Sequence, residues 1–262
     1  MARKGKLIIF EGLDGSGKGT QLRLMQEYLE NENNSIEISQ LKMFQEYQQE
    51  VFRKNFQFEL FTDYLTKEKM PFATYDFPRY YDNFWGGMVG RMLTGEFGEK
   101  LDPYPRSIFY LLDQADACKQ IRKDLQQGKI VICNRYITSS YIFQTGMIKT
   151  REAKDAFINW LEEAGYKQLG MIKPDIVLAL YVEPAVAQEL ILKKNNRDYL
   201  KQETKDINEK NLKIQNNAAK EMLYFCNKYK NWHLIDCMKS KTEIKSQDAI
   251  ALEIRNLINK YI

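Results

Sequence analysis

Residues 6–21 read Lys-Leu-Ile-Ile-Phe-Glu-Gly-Leu-Asp-Gly-Ser-Gly-Lys-Gly-Thr-Gln. A short apolar run breaks into glycines and then into a helical pattern. Gly12, Gly15 and Gly17 supply turn freedom and bare backbone, so consecutive N–H groups converge on phosphate oxygens at the N-terminus of the next helix. Lys18 then stands where an ammonium reaches β and γ oxygens. The match to G-x-x-x-x-G-K-[ST] runs from Gly12 to Lys18 and fails at Gly19, with a hydroxyl one residue later at Thr20. A glycine-rich turn with a solvated lysine is the bland alternative. A strand before and a helix after are the context the motif requires. The expectation is therefore a phosphate cradle built from Gly12, Gly15, Ser16, Gly17, Lys18, Gly19 and Thr20.

Outward from this stretch, strands and helices alternate. Apolar runs at 72–77, 129–133, 175–182 and 232–236 predict four further strands, and helical patterns follow at about 85–98, 105–127, 184–194, 209–230 and the C-terminus. Ser139 to Gly146 begins a helical segment across the site. This order implies one α/β domain over 1–262: a P-loop kinase fold with a five-stranded parallel sheet flanked by helices. Residues 35–70, rich in Gln, Glu, Lys and aromatics, predict a helical insertion after the first helix. The polar stretch 193–206 predicts a lid loop carrying Arg197, Lys193, Lys194 and Lys201.

Composition removes several alternatives. With 39 basic and 35 acidic residues interspersed, the net charge of +4 does not point to nucleic acid. Cys118, Cys133, Cys226 and Cys237 show no C-x-x-C spacing and read as reduced thiols. The single histidine, His233, has no companions for a zinc site or for histidine-based catalysis. The absence of an N-terminal apolar region and of an 18-residue apolar run argues against secretion and membrane spanning, leaving the cytoplasm as the expected compartment.

Phosphoryl transfer needs positioned positive charge more than covalent chemistry, because its transition state spreads negative charge over equatorial oxygens. Lys18, Arg79 and Arg135 all stand at the carboxyl ends of predicted strands, where open α/β sheets bind ligands.

The segments Phe10-Glu11-Gly12-Leu13-Asp14-Gly15-Ser16-Gly17-Lys18, Phe77-Pro78-Arg79-Tyr80, Gly95-Glu96-Phe97-Gly98, Asn134-Arg135-Tyr136 with Ser139-Ser140, and Pro174-Asp175 occur in an order that resembles the thymidylate kinases. The resemblance covers the chain outside about 35–70. It implies transfer of the γ-phosphate of ATP, with Mg²⁺, to a nucleoside monophosphate, most often dTMP, by a homodimer. It also implies roles: Lys18, Asn134, Arg135 and Arg197 in catalysis, Asp14 on the acceptor's sugar hydroxyl, and Arg79 and Arg135 on its phosphate. Tyr110 would stack on the base, Phe143 crowd the 2′ position, and Ser140 line the substrate pocket. For Tyr110 and Phe143, core packing is the competing reading.

Three departures from the family pattern stand out. Gln114 occupies the place of a base-reading arginine and offers both donor and acceptor, where guanidinium offers only donors. Asn134 replaces the aspartate of the usual Asp-Arg pair, which implies reduced rather than abolished activity, since a loose transition state needs little base catalysis. Gly19 removes a hydroxyl, so the metal would be held mostly through water, with Thr20 nearest. The leading expectation is a deoxynucleoside monophosphate kinase for dTMP. The alternatives are a kinase for another monophosphate and a nucleotide-binding protein impaired in catalysis.

Overall fold

β1 (Lys6–Gly12) is apolar on both faces because both faces are covered: Leu7, Ile8, Ile9 and Phe10 are all fully buried. Strands of a parallel sheet sandwiched between helices have no solvent side, so they read as continuous apolar runs. Leu7 and Ile9 enter one core, and Ile8 and Phe10 enter the other.

The computed structural model describes residues 5–32, 72–80, 82–98, 101–193 and 212–261. The expected insertion over 35–70 lies outside them, as do Arg197, Lys194, Lys201 and the lid loop beyond Lys193. After β1 come α1 (Lys18–Glu32), β2 (Phe72–Asp76), α2 (Phe84–Leu93), α3 (Pro103–Gln126), β3 (Ile130–Asn134), α4 (Ile137–Phe143) and a 3₁₀ turn (Thr145–Met147). α5 (Arg151–Glu162) then runs into a π-helical turn (Glu163–Gln168), followed by β4 (Ile176–Tyr181), α6 (Pro184–Lys193), α7 (Leu212–Lys228), β5 (Trp232–Asp236) and α8 (Gln247–Ile258).

The five strands are all parallel, as expected, and the structure sets them in the order β2-β3-β1-β4-β5. From β1 the chain builds one half of the sheet through β2 and β3, then crosses to build the other through β4 and β5. A crevice is therefore set at the carboxyl end of β1, where the two halves diverge.

α5 occupies part of 147–174, a stretch for which the apolar pattern had assigned no element. Its signals are local: the Thr150 hydroxyl accepts from the Ala153 N–H at 3.3 Å, and Phe157, Ile158 and Leu161 form its buried stripe. α3 begins at Pro103, two residues before the expected Pro105, because the Asp102 side chain caps the Tyr104 N–H at 3.0 Å. Its buried face also differs from the expected one. Leu112 and Ala115 are only half-buried, whereas Asp113, Gln114 and Asp124 are buried. The carboxylates go inside because their partners are there: Arg79 for Asp113, and Lys129 with Tyr75 for Asp124.

Asp124 ties three elements together. It accepts from the Lys129 ammonium at 2.8 Å, just ahead of β3, and from the Tyr75 hydroxyl of β2 at 2.6 Å. Removing one partner of a buried pair costs about 3–5 kcal/mol, because the remaining charge stays in a poor solvent. Asp124→Ala is therefore expected to lower unfolding free energy by about that amount in urea denaturation, and Asp124→Asn, which keeps an acceptor, by clearly less.

Candidate active site at the carboxyl edge of the sheet

The loop that leaves β1 wraps its own lysine. The Lys18 ammonium donates to the carbonyls of Gly12 at 3.0 Å and Leu13 at 2.7 Å, and the residue is 7% exposed. This places the charge inside the concavity formed by the loop, at the N-terminus of α1, where backbone N–H groups already favour an anion. Gly12 permits the tight turn: at φ 154° its Cα lies so close to β4 that a Cβ would meet the Leu180 carbonyl oxygen at 2.7 Å and the Ser16 hydroxyl at 2.5 Å. Ser16 Oγ is buried with no hydrogen-bond partner among the described residues. Thr20 lies in the first turn of α1, half-buried.

A cavity of about 340 Å³ opens in front of this loop. Asp14, Gly15, Gly17, Lys18 and Gly19 form one wall. Asn134, Arg135, Ser140 and Phe143 from the β3–α4 junction form a second, and Tyr110 and Gln114 from α3 a third. Residues spread over 130 positions of sequence thus meet because the ends of β1 and β3 and one face of α3 converge at one sheet edge.

Arg135 is the pivot between walls. It adopts φ 66°, an uncommon left-handed conformation for a residue with a side chain. Its guanidinium pairs with the Asp14 carboxylate and lies over the Phe143 ring, 5.2 Å from the centroid. Burial works against the charge, but Asp14 and Glu11 outweigh it and hold the pKa above its ordinary value. Asp14 also accepts from Gln215 of α7 at 3.4 Å. Phe143 reconciles its two readings, since it is 7% exposed, packs in the core and still lines the cavity.

Arg79 goes elsewhere. Its side chain turns away from the cavity into α3, where Nε donates to Asp113 at 3.0 Å and Nη2 to Asp116 at 2.8 Å. Asp113 also accepts from the Arg79 backbone N–H at 3.0 Å, and Gly86 packs so tightly on the Arg79 carbonyl that a Cβ there would sit 1.8 Å from it. The next residue, Tyr80, lines the cavity instead.

Two acidic residues that the motif reading passed over belong to this site. Glu11, fully buried behind the loop, accepts from the Tyr136 N–H at 3.2 Å, the Thr138 hydroxyl at 2.6 Å and the Ser139 hydroxyl at 3.0 and 2.9 Å. Burial raises its pKa, and Arg135 and the two hydroxyls oppose that shift. Asp76 ends β2 directly beside Asn134 of β3 and accepts from its amide at 2.7 Å. Open to the cleft yet walled by protein, its carboxyl is pushed up to about 6 by loss of solvation, against the pull of Asn134, Arg135 and Lys18. Its one sequence signal was its place at the last position of a strand, immediately before Phe77-Pro78.

Comparison with known proteins agrees with this geometry. A thymidylate kinase family model matches residues 54–247. A thymidylate kinase from Plasmodium falciparum is 27% identical over 200 residues, covering 75% of this chain and 68% of that protein. A probable thymidylate kinase from Pyrococcus abyssi is 22% identical over 259 residues, covering 97% of this chain and 98% of that protein. In overall fold, the structure of thymidylate kinase from Candida albicans superposes with a TM-score of 0.61 at 19% identity, covering 98% of this chain and 92% of that one. Among the described residues no helix is long and apolar enough to cross a membrane. With a phosphate loop, an arginine pivot and an aromatic-walled cavity on one sheet edge, and with a family match over most of its length, the chain belongs to the thymidylate kinase family of nucleoside monophosphate kinases.

Proposed function

We propose that the protein moves the γ-phosphate of ATP onto a deoxynucleoside monophosphate, with dTMP the first acceptor. The observation that carries this reading is the meeting, in one cavity, of the Lys18 loop with an acceptor wall of Asp14, Arg135, Tyr110 and Phe143. Lys18 neutralises charge on the donor phosphates, and Arg135, a planar fork, holds the acceptor phosphate. For both to act, the Lys18 contacts with its own loop and the Arg135–Asp14 pair must yield to substrate oxygens. Asp14 then accepts the sugar hydroxyl, Tyr110 stacks on the base, and Phe143 closes the 2′ side. Arg79 acts differently: anchored by Asp113 and Asp116, it fixes the turn after β2 rather than touching phosphate.

Magnesium, when bound with the nucleotide, supplies charge that offsets the β and γ oxygens. The residues present fit such an ion. Ser16 offers a buried hydroxyl oxygen lacking a partner among the described residues, Thr20 stands in the first turn of α1, and among those residues no group of three metal-ligating side chains exists. Hydroxyl donors of this kind would suit an ion held mainly by phosphates and water. The reduced cysteines support a cytoplasmic setting, and the family resemblance supports a homodimer.

A second reading, nucleotide binding without turnover, rests on Asn134. Against it, a carboxylate stands 2.7 Å from that amide: Asp76 restores next door the negative charge that position 134 lacks. ADP release measured with the common monophosphates decides between them. Turnover is expected with dTMP, and tight ATP binding with no acceptor phosphorylated would remove the kinase reading. Lys18→Met is expected to lower kcat by about 10²–10³-fold, the usual loss for one preorganised transition-state charge contact.

Asp76 carries a pH signature. A carboxyl raised from its ordinary value to about 6 in the folded protein binds more protons there than in the unfolded chain. Its penalty is absent at low pH, grows between about pH 4 and 6, and is complete above. The full shift corresponds to about 3 kcal/mol, and solvent at the cleft mouth reduces it to about 1 kcal/mol. Asp76→Asn is thus expected to raise Tm by about 2–4 °C at pH 8 and to leave it unchanged at pH 4.

A further inference from the structure

The inner end of the cavity contains two side chains with unmet hydrogen-bonding capacity. Gln114 of α3 is 3% exposed and Gln144, just past α4, is 2% exposed. Both line the cavity, and in both Oε1 is buried with no partner among the described residues. Buried amides without partners are costly, so their persistence at a ligand cavity points to a ligand that completes them. Tyr110, Ser140, Phe143 and Leu93 line the same cavity, with the Arg135 guanidinium, already paired with Asp14, over the Phe143 ring.

We infer that this end reads the pyrimidine 3,4-edge in either of its two forms, so that the site phosphorylates 4-amino pyrimidine deoxynucleotides, the cytosine class, alongside the 4-oxo class to which dTMP belongs. The inference rests on the kinase reading above. A 4-oxo pyrimidine presents an acceptor at O4 beside a donor at N3–H, and a 4-amino pyrimidine presents a donor at N4 beside an acceptor at N3. A carboxamide carries one donor and one acceptor side by side, and a half-turn about its last, two-fold torsion exchanges them. Gln114 therefore matches either edge with the same number of hydrogen bonds, and Gln144 supplies a second reversible pair. The Ser140 hydroxyl is also both donor and acceptor. A site committed to donors alone would reject the amino form by leaving buried groups opposed, the situation in which enzymes reach discrimination of about 10⁴–10⁵-fold. Neither glutamine makes that commitment.

The test is steady-state kcat/KM for dTMP and for 5-methyl-dCMP, a pair that differs only at the 3,4-edge, with ATP and Mg²⁺, for the wild type and two variants. For the wild type the two values should lie within about tenfold, the range left when hydrogen-bond counts are equal. Gln114→Arg, a donor only, should shift the ratio toward dTMP by at least about tenfold, and Gln114→Glu, an acceptor only, toward 5-methyl-dCMP by a similar factor. Shifts of opposite sign are what a purely structural glutamine cannot produce. Turnover of dTMP with 5-methyl-dCMP more than about tenfold poorer overturns the inference and leaves the kinase reading intact. Variants that slow both substrates equally also overturn it, by showing that Gln114 does not read the base. Phosphorylation of neither nucleotide removes the kinase reading and this inference together.

Discussion

The site depends first on the burial of one carboxylate. Glu11 lies at the end of the central strand with no access to solvent, and the turn that follows β3 closes around it to satisfy it. A buried carboxylate without donors is prohibitively unfavourable, so Tyr136, Thr138 and Ser139 are held in one arrangement. Arg135, the residue immediately before them, stands with its backbone left-handed and its guanidinium paired with Asp14 of the loop after β1. The loop after β1 and the turn after β3, more than a hundred residues apart in sequence, are thereby tied together.

A second layer of ion pairs does for the outer wall what Glu11 does for the inner one. Asp113 and Asp124 sit on the buried face of α3 and grip the segments that end and begin the neighbouring strands. Replacing such pairs by apolar residues can be neutral in stability, so burial of charge is poor evidence of strength. Its effect here is orientation. α3 cannot rotate about its axis without breaking these contacts, and its rotation decides whether Tyr110 and Gln114 face the cavity. The polarity of the α3 core thus connects to the lining of the cavity.

Charge is balanced within the cleft in the same spirit. Arg135 is neutralised by Asp14, the Lys18 ammonium is held by hydrogen bonds to carbonyls of its own loop, and Asn134 donates to the carboxylate of Asp76. In the proposed reaction each contact would yield to a phosphate, a sugar hydroxyl or a metal-bound water. The pairs hold the cationic groups in fixed orientations, the preorganisation that the proposed phosphoryl transfer calls for.

The amino-acid sequence alone determined the alternation of strands and helices, the parallel sheet and the phosphate loop, since these follow from apolar runs, glycine spacing and caps within a few neighbouring residues. It also located Asn134-Arg135 and Gln114 as departures or matches, because they sit at fixed offsets from recognisable segments. The direction of Arg79, the inward turn of Asp113 and Asp124 in place of Leu112 and Ala115, and the addition of Asp76, Glu11 and Gln144 to the site were decided only by tertiary structure. Their roles depend on which strand lies beside which, in what register, and on which face of a helix a partner waits. Asp76 meets Asn134 because β2 and β3 are paired in register across 58 positions of sequence, a relation that no local pattern encodes.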